Sequence, residues 1–160
     1  MSDSNDSYGV DFDFLIGAWQ VHHRRLARRL AGCQDWVEFA GTSVARKLLG
    51  GFGNIDENHI PLPGDPYVGV TLRTYDPKAQ IWSIHWFDSR HPSAHDPPMA
   101  GRFAEGVGTF YGDHVFETKP VRVRFIWSRD AATRCRWQQA FSADAGRSWE
   151  TNWIMDFSRS

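Results

Sequence analysis

Charged side chains interrupt several apolar strand patterns, and they are the first candidates for chemistry. If Trp19 points inward on its strand, His23 and Arg25 do so as well, because side chains alternate between the two faces of a strand. Trp36 and Glu38 share one face of the next strand, so the pattern predicts an Arg25–Glu38 pair across the hairpin. In such a pair Arg25 would bind a carboxylate or enolate oxygen, and Glu38 would orient it or act as a base. The structural alternative is a buried ion pair that fixes the strand register.

Two polar clusters lie in or beside stretches rich in glycine and proline. Asn54 and Asp56 follow three nearby glycines, a pattern typical of a polar cluster at a cavity mouth and equally of an ordinary turn. Asp88 and Arg90 flank the start of the segment 89–101, where a local salt bridge is the alternative interpretation. Long ordered loops at the mouth of a barrel often carry ligand chemistry, so both clusters are candidate binding residues.

Aromatic side chains are abundant, with eight Trp, four Tyr and eleven Phe among 160 residues. Alternation along the predicted strands places many of them on one face together with aliphatic residues. Such a face either fills the core of a barrel or lines a cavity for a small ligand. We predict a cavity that binds a partly aromatic or acidic metabolite, and its candidate ligand-binding residues are Arg25, Asn54, Trp86, Asp88, Arg90, Trp127 and Trp153.

Two other functions are alternatives to simple binding. A cofactor-free isomerase, cyclase, decarboxylase or hydrolase would use Glu38, His23 and Asp56 as acid–base groups. Its anion-binding group would be Arg25. A haem-binding barrel would instead use one of the seven His residues as an iron ligand. His22 and His23 are adjacent and point to opposite faces of a strand, and we predict neither a metal site nor a cofactor.

The overall charge argues against a nucleic-acid or anionic-membrane partner, because 18 basic and 19 acidic residues give a net charge of −1. No stretch is apolar and long enough to span a membrane, and the acidic N-terminal residues do not resemble a signal peptide. Cys33 and Cys135 are distant in sequence, which is typical of free thiols in a reducing cytoplasm. We predict a cytoplasmic protein with a small-molecule ligand. A third interpretation is an interaction module that forms a homodimer through an exposed strand face.

The elements that position these residues are predicted to be strands. Apolar runs of period two, separated by turn residues, predict strands at 19–26, 36–45, 67–75, 81–88, 103–110, 114–119, 121–128, 134–141 and 149–157. This pattern indicates an all-β fold, a single antiparallel up-and-down barrel of about 8–10 strands. The segments 49–66 and 89–101 are predicted to be long loops. Residues 24–30 also have helical spacing, but the surrounding pattern favours a strand.

Several stretches resemble a known group of barrels. Gly17-Ala18-Trp19 at the first strand, with Arg159 after the last, is similar to the G-x-W motif and late basic residue of the lipocalin and calycin barrels. The segments 35–39, 49–56, 81–90, 101–112 and 136–157 resemble uncharacterised bacterial lipocalin-like proteins. The resemblance implies a calycin-type barrel over 13–160, preceded by a flexible acidic tail over 1–12. It implies no particular activity.

Overall fold

Ten antiparallel strands form one closed barrel in a computed structural model that describes residues 9–160. Each strand pairs with its neighbours in sequence, and the last strand pairs with the first to close the barrel. The all-β, up-and-down prediction is therefore confirmed. The strands are β1 (Gly17–Leu26), β2 (Trp36–Leu48), β3 (Gly53–Ile60), β4 (Tyr67–Asp76), β5 (Ile81–Asp88), β6 (Met99–Ala104), β7 (Val107–Phe116), β8 (Lys119–Ala131), β9 (Arg134–Ser142) and β10 (Glu150–Ser158).

Two of the predicted strand boundaries are wrong, because the tight turns lie elsewhere. Glu105 and Gly106 both have positive φ and connect β6 to β7, so the predicted strand 103–110 is divided between two strands. Glu117 and Thr118 form the equivalent turn between β7 and β8, which likewise divides the predicted strand 114–119. Gly112 lies inside β7, where a Cβ atom would be only 2.6 Å from the sulfur of Met99. This glycine serves close packing rather than a turn.

Both predicted long loops contain a strand. The segment 49–66 includes all of β3, and the segment 89–101 includes the start of β6. The ambiguous segment 24–30 continues β1 as far as Leu26 and then bends through residues 27–32 without forming a helix. The barrel therefore has one more strand than the nine that the sequence pattern predicts.

One end of the barrel is closed by packed side chains. Phe12 is 1% exposed and packs edge-on against Trp82, whose indole nitrogen donates to Asp11 over 2.9 Å. A short 3-10 helix, Asp13–Leu15, follows and buries Leu15 beneath β1. Residues 1–8 of the predicted tail lie outside the described residues, whereas Asp11 and Phe12 belong to the barrel. The domain boundary at residue 13 stays a prediction from the sequence.

The G-x-W segment and the late arginine meet at this closed end. The guanidinium of Arg159 lies 3.8 Å from the centroid of the Trp19 ring. Its nitrogens donate to the backbone oxygens of Ile16 over 2.7 Å and Phe14 over 3.1 Å. A cation over an indole and two hydrogen bonds tie the C-terminus to the start of β1. Within residues 9–160, no helix is long and apolar enough to cross a membrane.

Candidate functional site

A cavity of about 260 Å³ occupies the barrel between its middle and its open end. It lies above the packed end. Its opening is bordered by the bent segment 27–32, which includes Arg29, by the loop after β5 and by the turn between β7 and β8. Its apolar wall is mostly aromatic and includes all three tryptophans predicted for the ligand site. The aromatic lining residues are Tyr67, Trp86, Phe116, Phe125, Trp127, Trp137, Phe141, Trp153 and Phe157.

Arg25 faces the cavity from β1 and is only 8% exposed. Its Nη1 atom donates to the hydroxyl oxygen of Tyr67 over 2.9 Å, and its guanidinium lies 4.7 Å from the Trp153 ring centroid. The part of the chain that the structure describes places no carboxylate oxygen within ion-pair distance of Arg25. The predicted inward orientation of Arg25 is confirmed. Its cation is held by a hydroxyl and an aromatic face and keeps its charge uncompensated.

A second arginine, Arg29, lies at the cavity mouth and was not among the predicted site residues. Its guanidinium lies 4.9 Å from the ring centroid of Phe116 and 5.5 Å from that of Phe141. Burial, together with the nearby charge of Arg25, lowers the pKa of Arg29 to about 10. Like Arg25, it forms no ion pair with any carboxylate in the described ranges. Arg29 remains a cation at neutral pH, so two unpaired positive charges face one small cavity.

Arg90 and Asp88 form a local cluster at the mouth, beside Tyr67. Arg90 lies 3.6 Å above the Tyr67 ring and pairs with Asp88 over 3.1 Å and with Asp65 over 3.2 Å. Asp88 also accepts a hydrogen bond from the indole nitrogen of Trp86. Burial raises the pKa of Asp88, but the hydrogen bonds and charge of Arg90 outweigh burial and lower that pKa overall. Both predicted residues line the cavity, and there they neutralise each other.

The predicted Arg25–Glu38 pair does not form. Arg25 lies opposite Val37 in the β1–β2 register, and Glu38 lies opposite Arg24 on the outer face. The Glu38 carboxylate is exposed and bonds to His22 over 2.9 Å. Trp36 and Glu38 do share a face, as predicted, but it is the solvent face. Glu38 is therefore outside the cavity and cannot act there as a base.

His23 is completely buried beneath the cavity wall and does not line the cavity. Its Nδ1 atom accepts a hydrogen bond from the indole nitrogen of Trp153 over 3.1 Å, and its ring stacks on Phe39 at 4.5 Å. Burial lowers the pKa of His23 to about 4, and the charges of Arg25 and His22 act in the same direction. His23 is a neutral group that orients Trp153. The acid–base role predicted for it has no geometric support.

Asn54 and Asp56 are also displaced from the position that the sequence predicts. They lie on β3, both 3% exposed, below the cavity rather than at its mouth. Arg73 of β4 donates to Asn54 over 2.8 Å and pairs with Asp56 over 2.7 Å. The Arg73 guanidinium lies 5.0 Å from the Phe12 ring centroid, directly above the closed end. Asp56 is the counter-ion of a buried arginine and is not free to act as a base.

Further polar residues that the sequence did not predict line the cavity, among them the Arg73 guanidinium described above. Asn58 of β3 and Thr71 of β4 lie on one wall, and Gln139 of β9 lies on the other. Gln139 donates to the buried Asn152 over 2.9 Å. The Asn58 carbonyl oxygen is buried and has no hydrogen-bond partner. The sequence contains a signal for this wall, because the polar residues Asn54, Asp56 and Asn58 occupy alternate positions. Polar residues in this pattern are unusual on the inner face of a barrel.

The described residues contain no group of three or more His, Cys, Asp and Glu side chains arranged for a metal ion. His114 is the histidine among the residues that line the cavity, and its Nε2 atom is hydrogen-bonded to the backbone oxygen of Pro97 over 3.0 Å. No protein-family model and no curated protein matches the chain. The function is therefore inferred from the cavity itself.

Proposed function

We propose that this barrel binds a small molecule with an aromatic body and an acidic group. The observation that carries the proposal is that Arg25 and Arg29 face the cavity with no carboxylate partner of their own among the described residues. Burying an unpaired cation is unfavourable, whereas an anionic ligand would supply the missing charge. Aromatic walls would hold the apolar part of the same ligand by dispersion and ring stacking.

The dimensions of the site suit a small ligand. Its volume of about 260 Å³ is slightly below the range of roughly 300–1,000 Å³ for small-molecule pockets, so it would hold a ligand smaller than most drug molecules. Trp127 lies towards the closed end, where it packs against Phe12, and Phe157 packs against Trp127. The two unpaired arginines lie nearer the opening. A ligand of one or two rings would therefore enter ring first and leave its acidic group near Arg25 and Arg29.

We also propose that the chain is a lipocalin-like, calycin-type barrel related to the bacterial proteins that its segments resemble. The closed antiparallel barrel and the stacking of Arg159 on Trp19 support this relationship. Ligand binding inside the barrel fits that architecture. The cytoplasmic location and the homodimer stay predictions from the sequence.

Calorimetric titration with cinnamate, cinnamamide and cinnamylamine tests the proposed function. These probes share an aromatic body and differ in charge, and we expect cinnamate to bind most tightly. Arg25→Gln should weaken cinnamate binding by about ten- to a hundredfold, because a hydrogen bond to a charged group contributes roughly 1.5–3 kcal/mol. Arg24→Gln is the matched control, since Arg24 lies on the outer face beside Asp156.

Two results would contradict the proposal. One is equal binding of the acid, the amide and the amine, which would show that the cavity does not select negative charge. The other is the absence of binding by any of the three probes at millimolar concentration. An equal effect of Arg24→Gln and Arg25→Gln would show that the arginine acts through overall charge rather than through the cavity.

A further inference from the structure

We infer that the ligand is a hydroxylated aromatic acid, whose hydroxyl group binds to Asn58 and Thr71 while its carboxylate binds to the mouth arginines. This inference rests on the proposed function and adds the chemical group at the other end of the ligand. It follows from polar groups in the cavity wall that have no partner within the described residues.

Asn58 is the strongest of these observations. Its side chain is 3% exposed and lines the cavity, and no described residue donates to its carbonyl oxygen. Leaving a buried amide oxygen without a hydrogen bond costs about 1–3 kcal/mol. An apolar side chain in the same place would avoid this cost, as Ile60 does two residues further along the same face. A ligand hydroxyl that donates to Asn58 explains why the wall is polar at this point.

Thr71 adds a second group on the same wall. It is 6% exposed and lines the cavity, and its hydroxyl makes no hydrogen bond with any described residue. Its hydroxyl both donates and accepts, so it would complement a ligand hydroxyl that donates to Asn58. The neighbouring polar residues are different, because Asn54 and Asp56 are already engaged by Arg73. Other buried atoms of the described residues also lack a partner, including Asp56 Oδ1 and Asn152 Nδ2, but these two residues do not line the cavity, whereas Asn58 and Thr71 do.

The strand register sets the distance between this wall and the mouth. Asn58 lies opposite Gly69, which is two residues from Tyr67 and two residues from Thr71 along β4. At about 3.3 Å per residue, Asn58 is about 7 Å and Thr71 about 13 Å from the level of Tyr67 along the strand. Arg25 is bonded to Tyr67, so a carboxylate there and a hydroxyl at Asn58 would be separated by about one ring.

An aromatic surface lies between the levels of Tyr67 and Thr71, at the level of Asn58. A Cβ atom on Gly69 would be only 2.1 Å from the Cη2 atom of Trp86, which shows that the indole lies directly over this glycine. Trp86 also lines the cavity. The ring of a hydroxylated aromatic acid would pack beside this indole, with its polar groups on either side. Along β4 the order is therefore Tyr67, bonded to Arg25, then Gly69, which lies under the Trp86 indole and opposite Asn58, and then Thr71.

Comparison of cinnamate with para-hydroxycinnamate and para-methoxycinnamate by calorimetry tests the inference. We expect the hydroxyl to increase affinity about three- to tenfold, the gain typical of one or two hydrogen bonds, and the methoxy group to give no gain. The gain should disappear in Asn58→Leu and shrink in Thr71→Val. It should persist in Thr74→Val, a matched change on the outer face of β4.

The outcomes separate this inference from the proposed function. Binding of cinnamate without a hydroxyl gain would overturn the inference and leave the acid-binding proposal intact. A hydroxyl gain that survives both Asn58→Leu and Thr71→Val would also overturn it, because the hydroxyl would then bind elsewhere. If none of the acids binds, both proposals fail together. Thr71→Val keeps the test valid if Asn58→Leu does not fold.

Discussion

Buried arginines at the two ends of the cavity have opposite electrostatic surroundings. Near the closed end, Arg73 pairs with Asp56 and bonds to Asn54, so its charge is balanced within the protein. Near the open end, no carboxylate of the described residues forms an ion pair with Arg25 or Arg29, whose close partners are the Tyr67 hydroxyl and aromatic rings. Glu117 acts on Arg29 only at longer range. A balanced buried charge supports the fold, whereas an unbalanced one lowers stability and prepares a site for an anion. The residue type is the same, and its neighbours decide its role.

The largest expected effect is at the closed end. Asp56→Asn should lower the free energy of unfolding by about 3–5 kcal/mol, because it leaves the buried Arg73 cation without a counter-ion. Urea unfolding monitored by tryptophan fluorescence measures this change. The control is Asp156→Asn, which breaks half-exposed pairs with Arg24 and Arg136 and should cost no more than about 1 kcal/mol. Equal losses in the two variants would remove the distinction between the two ends.

The next effect concerns His23, which joins the two regions by orienting Trp153. Its pKa in the folded protein is about 4, below the ordinary value of 6.5, so the unfolded chain binds a proton first as pH falls. The contribution of neutral His23 is complete above pH 6.5 and is lost as pH falls towards 4. At pH 4.5 the loss amounts to about 2.5 kcal/mol relative to pH 7.

Urea unfolding of the wild-type protein and His23→Phe at pH 7 and pH 4.5 measures this loss. The variant should lose less stability between the two pH values, because it has no group to protonate at this position. His22→Phe is the matched control, since His22 is exposed on the opposite face of β1. An identical pH dependence in wild type and His23→Phe would show that His23 is not kept neutral by burial.

The smallest expected effect is at the open end, where a substitution should raise the free energy of unfolding instead of lowering it. Arg29→Met should raise the free energy of unfolding by on the order of 1 kcal/mol, because folding places this cation near Arg25 without a counter-ion. The same variant should bind cinnamate more weakly. Arg28→Met, an exposed neighbour, should change stability by less than about 0.5 kcal/mol and leave affinity unchanged. A loss of stability in Arg29→Met would indicate that Arg29 serves the fold.

Much of the fold was accessible from the sequence because most strands alternate apolar and polar residues. The bounds of β5 were predicted correctly, and alternation from Trp19 placed His23 and Arg25 inside the barrel. By contrast, β3 was predicted to be part of a loop. Its inner face carries Asn and Asp side chains, so the apolar alternation that marks other strands is missing. The strand β3 was therefore not predicted, because the polar residues that it contributes to the barrel interior interrupt the apolar pattern.

The candidate site was less accessible because it depends on register and on irregular segments. Alternation shows that Trp36 and Glu38 share a face, but the connection between β1 and β2 decides which face that is. Arg29 lies in a bent segment with no periodic signal, and only the tertiary structure brings it to the cavity. The aromatic residues were predicted more successfully, because each lies on a regular strand.

Packing of Phe12, Leu15 and Trp82 across the closed end has a kinetic consequence. A molecule in the cavity has to leave by the route through which it entered, past the same arginines. A second molecule cannot enter from the closed end and displace the first. Exchange therefore requires either that the cavity is empty for a time or that both molecules occupy the open end together. The dissociation rate would therefore depend on the residues at the open end. Salt should increase this rate, because dissolved anions compete with the ligand for the arginines.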